Sequence, residues 1–401
     1  MDRLIRTLRK AVLFPLRLLT VPGYRDFTFR SMKAQGAATA RLSKDQLERH
    51  LRGAADWISR GQDNQPDGGI PAYFRLYQGW ATSYPETTGY TIPTFLEYAR
   101  STQNQDAADR ARRMLEFVLS TQDEEGWFPG GQTDATRSPS VFNSGMILHG
   151  LNHYYRHSSE ERVLESAKRC GDWICSVADN RGNWSADTYR GLRRTYNTEV
   201  SASLAELYEI AANPDYRDYA ARANDWVNAQ QKSNGWFANC DNSEKNNHAP
   251  LTHLIGYTAR GLVVTGKILD RKEDISAARR CLEGLMSSHP RGSTPYLDGR
   301  LDEQWGPRLK AACVTGTAQL AVTLYLLDEI DRNQDYVEYA DWLLGQVCSM
   351  QDLQNVHHGL RGGIPSSFPV WGRYAQLSLN NWGPKYFMDA LMHSLRQRQG
   401  Y

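Results

Sequence analysis

Asp56-Trp57-Ile58-Ser59-Arg60-Gly61-Gln62, followed by Asp67-Gly68-Gly69-Ile70-Pro71, is a phrase that the chain repeats. An aspartate–tryptophan pair ends an amphipathic stretch, a glutamine follows, and a glycine-rich loop with an aromatic or a proline leads on. Asp172-Trp173-Ile174 leads to Gly182-Asn183-Trp184, and Asp225-Trp226-Val227 runs through Gln230-Gln231 to Gly235-Trp236-Phe237. Asp341-Trp342-Leu343 runs through Gln351 to Gly362-Gly363-Ile364-Pro365, while Phe117 takes the tryptophan's place ahead of Gln122 and Gly126-Trp127-Phe128-Pro129. Recurrence at roughly 50–60 residues marks an array of supersecondary units, each burying its apolar face only against its neighbours.

Two kinds of helix alternate around this phrase. Amphipathic stretches fit Lys44–Arg60, Asp106–Thr121, Glu160–Val177, Asp215–Gln231, Lys272–Ser287 and Tyr336–Met350. In the first, Ser43 is the N-cap and Leu47, Leu51, Ala54, Ala55 and Ile58 form one stripe. Stretches that are small and apolar nearly all round begin near Pro85 and fit Val141–Tyr155, Asn197–Ala211, Leu251–Leu269, Ala312–Ile330 and Pro384–Arg396. Such helices are buried on every side. Strand signals are poor: there is no sustained period of two and no Asn-Gly hairpin between alternating runs. The pattern therefore predicts an all-α domain of six helical hairpins closed into a double ring over residues 44–401, the tryptophans of the Asp-Trp pairs wedged between the rings.

The N-terminus reads differently. Residues 1–22 form a basic amphipathic helix, with Arg3, Arg6, Arg9, Lys10 and Arg17 on one side and Leu4, Ile5, Leu8, Val12, Leu16 and Leu19 opposite. Residues 23–43 read as a linker. Arg17 interrupts the apolar run, which is too short for a membrane span. Three readings stand: an in-plane helix in which residues 1–19 contact an anionic cytoplasmic leaflet, a helix packed on the outside of the ring, and a cleaved secretory signal. The formal charge of +2 gives no footing for nucleic-acid binding. The six cysteines lack CxxC spacing and read as reduced residues of a reducing compartment.

Six repeats of helix, glycine-rich loop and small-residue helix, four of them with a glutamine (Gln62, Gln122, Gln231 and Gln351) ahead of the loop, resemble the (α/α)6 toroids of terpenoid cyclases and six-hairpin glycosidases. Within that group Tyr84-Pro85-Glu86-Thr87-Thr88-Gly89-Tyr90, followed by Ile92-Pro93-Thr94, is similar to bacterial proteins associated with exopolysaccharide or lipopolysaccharide biosynthesis. The resemblance covers roughly residues 44–398. It implies a carbohydrate-active protein whose partner is a polysaccharide or lipid-linked oligosaccharide; the cysteines and the basic N-terminal helix point to a cytoplasmic protein, free or peripheral on the inner membrane. Fold alone does not fix the reaction.

In such a ring the outer-to-inner loops and the first turns of the inner helices share one end, where converging helix N-termini favour an anionic group. The aromatics expected there include Tyr84, Trp127, Trp184, Trp236, Trp371 and Trp382, whose flat faces suit sugar rings as well as ordinary loop packing. Sugar hydrolysis needs two carboxyl groups held apart, one protonated and one ionised. Glu86 and Glu199 stand in matching first turns and are expected to face each other, with Asp67 as the first of several loop carboxylates. An acid in a first turn also serves simply to complement the helix dipole. Tyr196, beside Glu199, and His253 offer proton abstraction next to a uronate carboxylate. Arg361 and Arg373 would clamp an anionic sugar, with solvated loop charge as the plain alternative. His357-His358 lacks partners at ligand spacing, so neither a metal nor another cofactor is expected.

The reading that follows is cleavage of glycosidic bonds in an anionic polysaccharide or lipid-linked precursor. Its alternatives are a uronate C5-epimerase or lyase and a non-catalytic glycan-binding assembly factor. A terpenoid cyclase ranks last, because the chain lacks an Asp-x-Asp-Asp acid motif, and no zinc set for prenyl transfer is discernible.

Overall fold

The computed structural model describes residues 2–33 and 42–398. The six amphipathic stretches form outer helices: α3 (Lys44–Asp63), α5 (Gln105–Ser120), α7 (Glu161–Ser176), α9 (Pro214–Asn228), α11 (Lys272–Ser288) and α13 (Gln334–Met350). The apolar ones form inner helices: α4 (Pro85–Thr102), α6 (Val141–Ser158), α8 (Thr198–Ala211), α10 (Thr252–Leu269), α12 (Val314–Asp331) and α14 (Trp382–Arg398). Each inner helix packs on the next, and α14 returns to α3 and α4, so the double ring closes as an (α/α)6 toroid.

Local chemistry explains the starts and the contacts. Ser43 and Gln46 form a reciprocal capping box on α3, and the expected stripe Leu47, Leu51, Ala54, Ala55 and Ile58 is buried. In α12, 14 of 18 residues are buried, as an inner position requires. Glycine costs a helix about 1 kcal/mol relative to alanine, and here it is offset by close backbone approach. A Cβ on Gly150 of α6 would run into the carbonyl of Gly89 on α4. One on Gly316 of α12 would strike the backbone of Thr252 and His253 on α10.

The recurring glutamines stitch the outer ring. Gln122 donates to Gly126 O at 3.0 Å in its own loop and to Ser166 O at 2.9 Å on α7. Gln231 does the same to Gly235 O at 3.0 Å and Ala277 O at 2.7 Å on α11. Gln351, after the last outer helix, donates to Gly362 O at 2.6 Å and meets His50 Nδ1 on the first at 2.6 Å, closing the circle. Of the repeat tryptophans, Trp57, Trp173 and Trp342 are buried and Trp226 is partly buried.

Short strands fasten the loops. β1 (Tyr73–Arg75) lies between β2 (Gly79–Trp80) and β5 (Ser378–Asn380), while β3 (Ala312–Cys313) pairs with β4 (Ser367–Phe368). The first sheet joins the loop before α4 to the loop before α14, again across the closure of the ring.

The N-terminal arm departs from the sequence expectation. α1 spans Asp2–Thr20 and continues through Pro15. The stretch read as a linker contains α2 (Tyr24–Lys33), whose Tyr24 and Phe27 are buried against the toroid. The part of that linker from 34 to 41 lies outside the described residues, as do the side chains of Arg3, Leu4, Ile5, Arg6 and Arg9. All six cysteines are buried and unpaired. No described helix is long and apolar enough to cross a membrane.

Candidate active site

The first turns of α4, α6, α10 and α14, the 3-10 turn Thr195–Asn197 before α8, and the loops beside them surround a cavity of about 860 Å³. Pro85 occupies the first turn of α4 and fixes its start, which sets Glu86 next in line at the helix N-terminus. Glu86 is buried, and the Tyr84 hydroxyl hydrogen-bonds it. Tyr84 in turn accepts from Asn143 Nδ2 at 3.3 Å. Among the described residues no base forms an ion pair with Glu86. Burial raises its carboxyl to about 7, against the opposing pull of the Tyr84 hydrogen bond.

Across the cavity, His253 on α10 meets Gln319 Oε1 through Nδ1 at 2.8 Å, so Nδ1 is the donor and Nε2 the acceptor. Burial lowers its pKa to about 4, which leaves the imidazole neutral near pH 7. Its ring lies 4.6 Å from Tyr257 and 5.9 Å from Tyr374, whose hydroxyl accepts from Trp382 Nε1 at 2.8 Å. Phe142 makes edge contacts with Tyr196 and Tyr257 at 5.2 and 5.3 Å. Tyr386 packs 5.9 Å from both Tyr90 and Tyr257, completing an aromatic floor. At the rim, a loop carries Asp187, Tyr189 and Arg190, all exposed.

Below that floor lies a layer of paired charges. Glu199 bonds Arg260 and Lys385 Nζ sits 2.7 Å from Asp389. Further along, Glu206 receives His149 Nδ1 at 2.9 and 3.0 Å and His153 Nε2 at 3.3 Å. Burial alone would raise Glu206, but the two histidines hold it well below the ordinary carboxylate range.

The cavity thus gathers Tyr84, Glu86, Tyr196, His253 and Trp382 from the residues singled out in the sequence. It excludes the others. Glu199 does not face Glu86 across the cup: the 3-10 turn places Tyr196 at the wall and Glu199 beyond it, where Arg260 takes its carboxylate. Asp67 accepts from Ser83 Oγ at 2.7 Å and Gly69 N at 2.9 Å, shaping its own loop. Trp184 and Trp236 are buried, donating to Ile174 O and Leu301 O at 3.0 and 3.2 Å. Trp127 packs under Arg137 with its Nε1 on Glu125. Arg361, Trp371 and Arg373 are exposed outside the cavity lining, and the arginine that does reach it is Arg190. Tyr90, Tyr257 and Tyr386 were legible as a set in one respect: each follows Glu86, His253 or Trp382 by four residues, one turn along the same face.

A toroid with an aromatic, carboxyl-bearing cup at the inner helix starts defines a class, that of the six-hairpin glycosidase-like proteins. Solved structures of similar fold include an unsaturated glucuronyl hydrolase specific for heparin, at TM-score 0.70 and 13% identity over 89% of this chain and 99% of that one. Cellobiose 2-epimerase from Bacillus thermoamylovorans has TM-score 0.70 and 11% identity, over 88% and 99% of the two chains. A polysaccharide lyase has TM-score 0.61 and 16% identity, over 88% and 99%. No curated protein matches. The chain belongs to the family described as beta-L-arabinofuranosidase, GH127 catalytic domain, which it matches over residues 27–289. That family supports a carbohydrate-acting enzyme, and these neighbours share its toroid fold.

Proposed function

We propose that this protein cleaves glycosidic bonds in an anionic cell-surface polysaccharide or its lipid-linked precursor, with Glu86 as the proton donor. The observation that carries the reading is Glu86 itself, a carboxyl group raised to about 7 inside an aromatic cup of sugar-sized volume. A general acid works best when its pKa lies near the operating pH. Glycoside cleavage pairs such an acid with a second, ionised carboxylate. Asp187 is the other carboxylate lining the cavity and takes that role, activating water or attacking the anomeric carbon from the rim. Arg190 and the helix N-termini around the cup favour a carboxylated sugar. A cytoplasmic site of action, where lipid-linked precursors are assembled, fits the buried unpaired cysteines.

His253 supports a second reading, epimerisation or elimination at a uronate. Its Nδ1 is committed to Gln319, so Nε2 is a neutral base at the cavity wall. Two measurements separate the readings. Glu86→Gln is expected to lower turnover of a uronate-containing glycan by about 10²–10⁴-fold with binding largely retained; unchanged turnover eliminates Glu86 as the donor. Reaction in deuterated water is expected to leave the sugar carbons unlabelled, whereas deuterium on carbon would replace hydrolysis by proton abstraction.

A further inference from the structure

The N-terminal helix turns the wrong face outward for a helix that merely packs on the ring. Leu8, Val12, Leu16 and Leu19 are 56, 62, 55 and 83% exposed. They fall within about 80° of one another on the helix wheel and make one continuous apolar stripe. The opposite side holds the toroid: Arg17 donates to Leu76 O at 3.4 Å and Lys10 bonds Gln376. Just beyond the helix, Asn355 donates to Gly23 O at 3.0 Å and Tyr24 packs 5.0 Å from His357.

Every one of these anchors lies on an outer-to-inner loop, the end of the ring at which the cavity opens. Gln376 is two residues from Tyr374, which lines the cavity. The stripe and the cavity mouth therefore belong to the same end of the molecule. Charge identifies what covers the stripe. The first 33 residues carry eight bases and two acids, while the whole chain has a formal charge of only +2, so the rest is acidic. A second copy presenting the same basic arm would be repelled, whereas an anionic lipid surface is attracted by the bases and takes up the leucines.

We propose that residues 8–19 seat the protein on an anionic membrane surface with the cavity mouth turned toward the bilayer, where the sugar of a lipid-linked substrate enters the cup. This deepens the glycan reading and rests on it for the identity of the substrate. Docking itself is independent of the reaction.

The test compares the full chain with a variant carrying Leu8→Gln, Val12→Gln, Leu16→Gln and Leu19→Gln. Co-sedimentation uses vesicles of equal parts phosphatidylglycerol and phosphatidylcholine, and vesicles of phosphatidylcholine alone. The wild type is expected to bind the anionic vesicles about tenfold more than either the variant or the neutral vesicles, and to lose part of that binding in high salt. Circular dichroism checks that the variant is folded, which the solvent-facing positions favour. Turnover of a water-soluble glycan fragment is expected to be equal in both proteins, so loss of docking is read apart from failure of the glycan reading. Equal sedimentation of the two proteins overturns the proposal. So does a wild-type dimer that the four substitutions dissolve without any vesicle binding, since a second copy would then cover the stripe.

Discussion

Two tiers of buried carboxyl groups lie along the inside of this ring, and they are built oppositely. In the upper tier Glu86 stands among tyrosines with no ion-pair partner among the described residues, and burial raises it to about 7. In the lower tier Asp389 is held down by Lys385, which outweighs its own burial, and Glu206 is held down by His149 and His153. Both tiers carry a desolvation cost, and burial still raises Glu199 despite its Arg260 partner, but only in the upper tier does the buried carboxyl group have no cation paired with it among the described residues. A carboxyl group kept protonated near neutrality is poised to give a proton; one held by fixed hydrogen-bonding partners, as Asp389 is by Lys385 and Glu206 by His149 and His153, is a structural strut. Chemistry in such a ring is expected at the buried carboxyl group that burial raises and no cation pairs.

The largest effect is expected at the lower tier. Arg260→Ala leaves the buried Glu199 without its cation and is expected to destabilise the fold by about 3–5 kcal/mol in urea denaturation. A change below about 1 kcal/mol would mean that the strut role is misassigned.

A smaller effect belongs to the upper tier and has the opposite sign. Because the folded-state pKa of Glu86 lies above its unfolded value, the folded chain retains a proton that the unfolded chain releases. Stability from this group is complete below about pH 4.5 and is lost as pH rises toward 7, by about 3 kcal/mol at most. Glu86→Gln is therefore expected to be more stable than wild type at pH 8 and to show no such gain at pH 4.5. Calorimetry at the two pH values checks it, and a gain that does not depend on pH would contradict the protonation argument.

The smallest effect is expected at the rim. Arg190→Ala is expected to raise KM for a carboxylated glycan by about tenfold, at unchanged kcat and with little effect on a neutral one. Equal losses on both substrates would remove Arg190 from anion recognition.

The ring was legible in the chain because its signals are local. The Asp-Trp pair, the glutamine and the glycine recur within one stretch, and the glutamine's first partner is a nearby loop carbonyl. The upper tier was partly legible for the same reason: Tyr84, Glu86, Tyr196, His253 and Trp382 all stand at or near the starts of inner helices, which topology gathers at one end. What stayed hidden depends on distant partners. Arg260 is 61 positions from Glu199, and Trp236 finds its acceptor 65 positions away at Leu301, so neither pairing leaves a mark in sequence spacing. Pro22-Gly23 reads as a linker signal, although Tyr24 and Phe27, three apart, already had the spacing of a buried helical face.

The most direct test is a titration of Glu86 itself. With carbon-labelled glutamate, the side-chain carboxyl resonance missing from the Glu86→Gln spectrum is followed by NMR from pH 4 to pH 9. A midpoint near 7 is expected for that resonance. A midpoint at the ordinary glutamate value of about 4.3 would show an ionised Glu86 in the cup and contradict its role as proton donor.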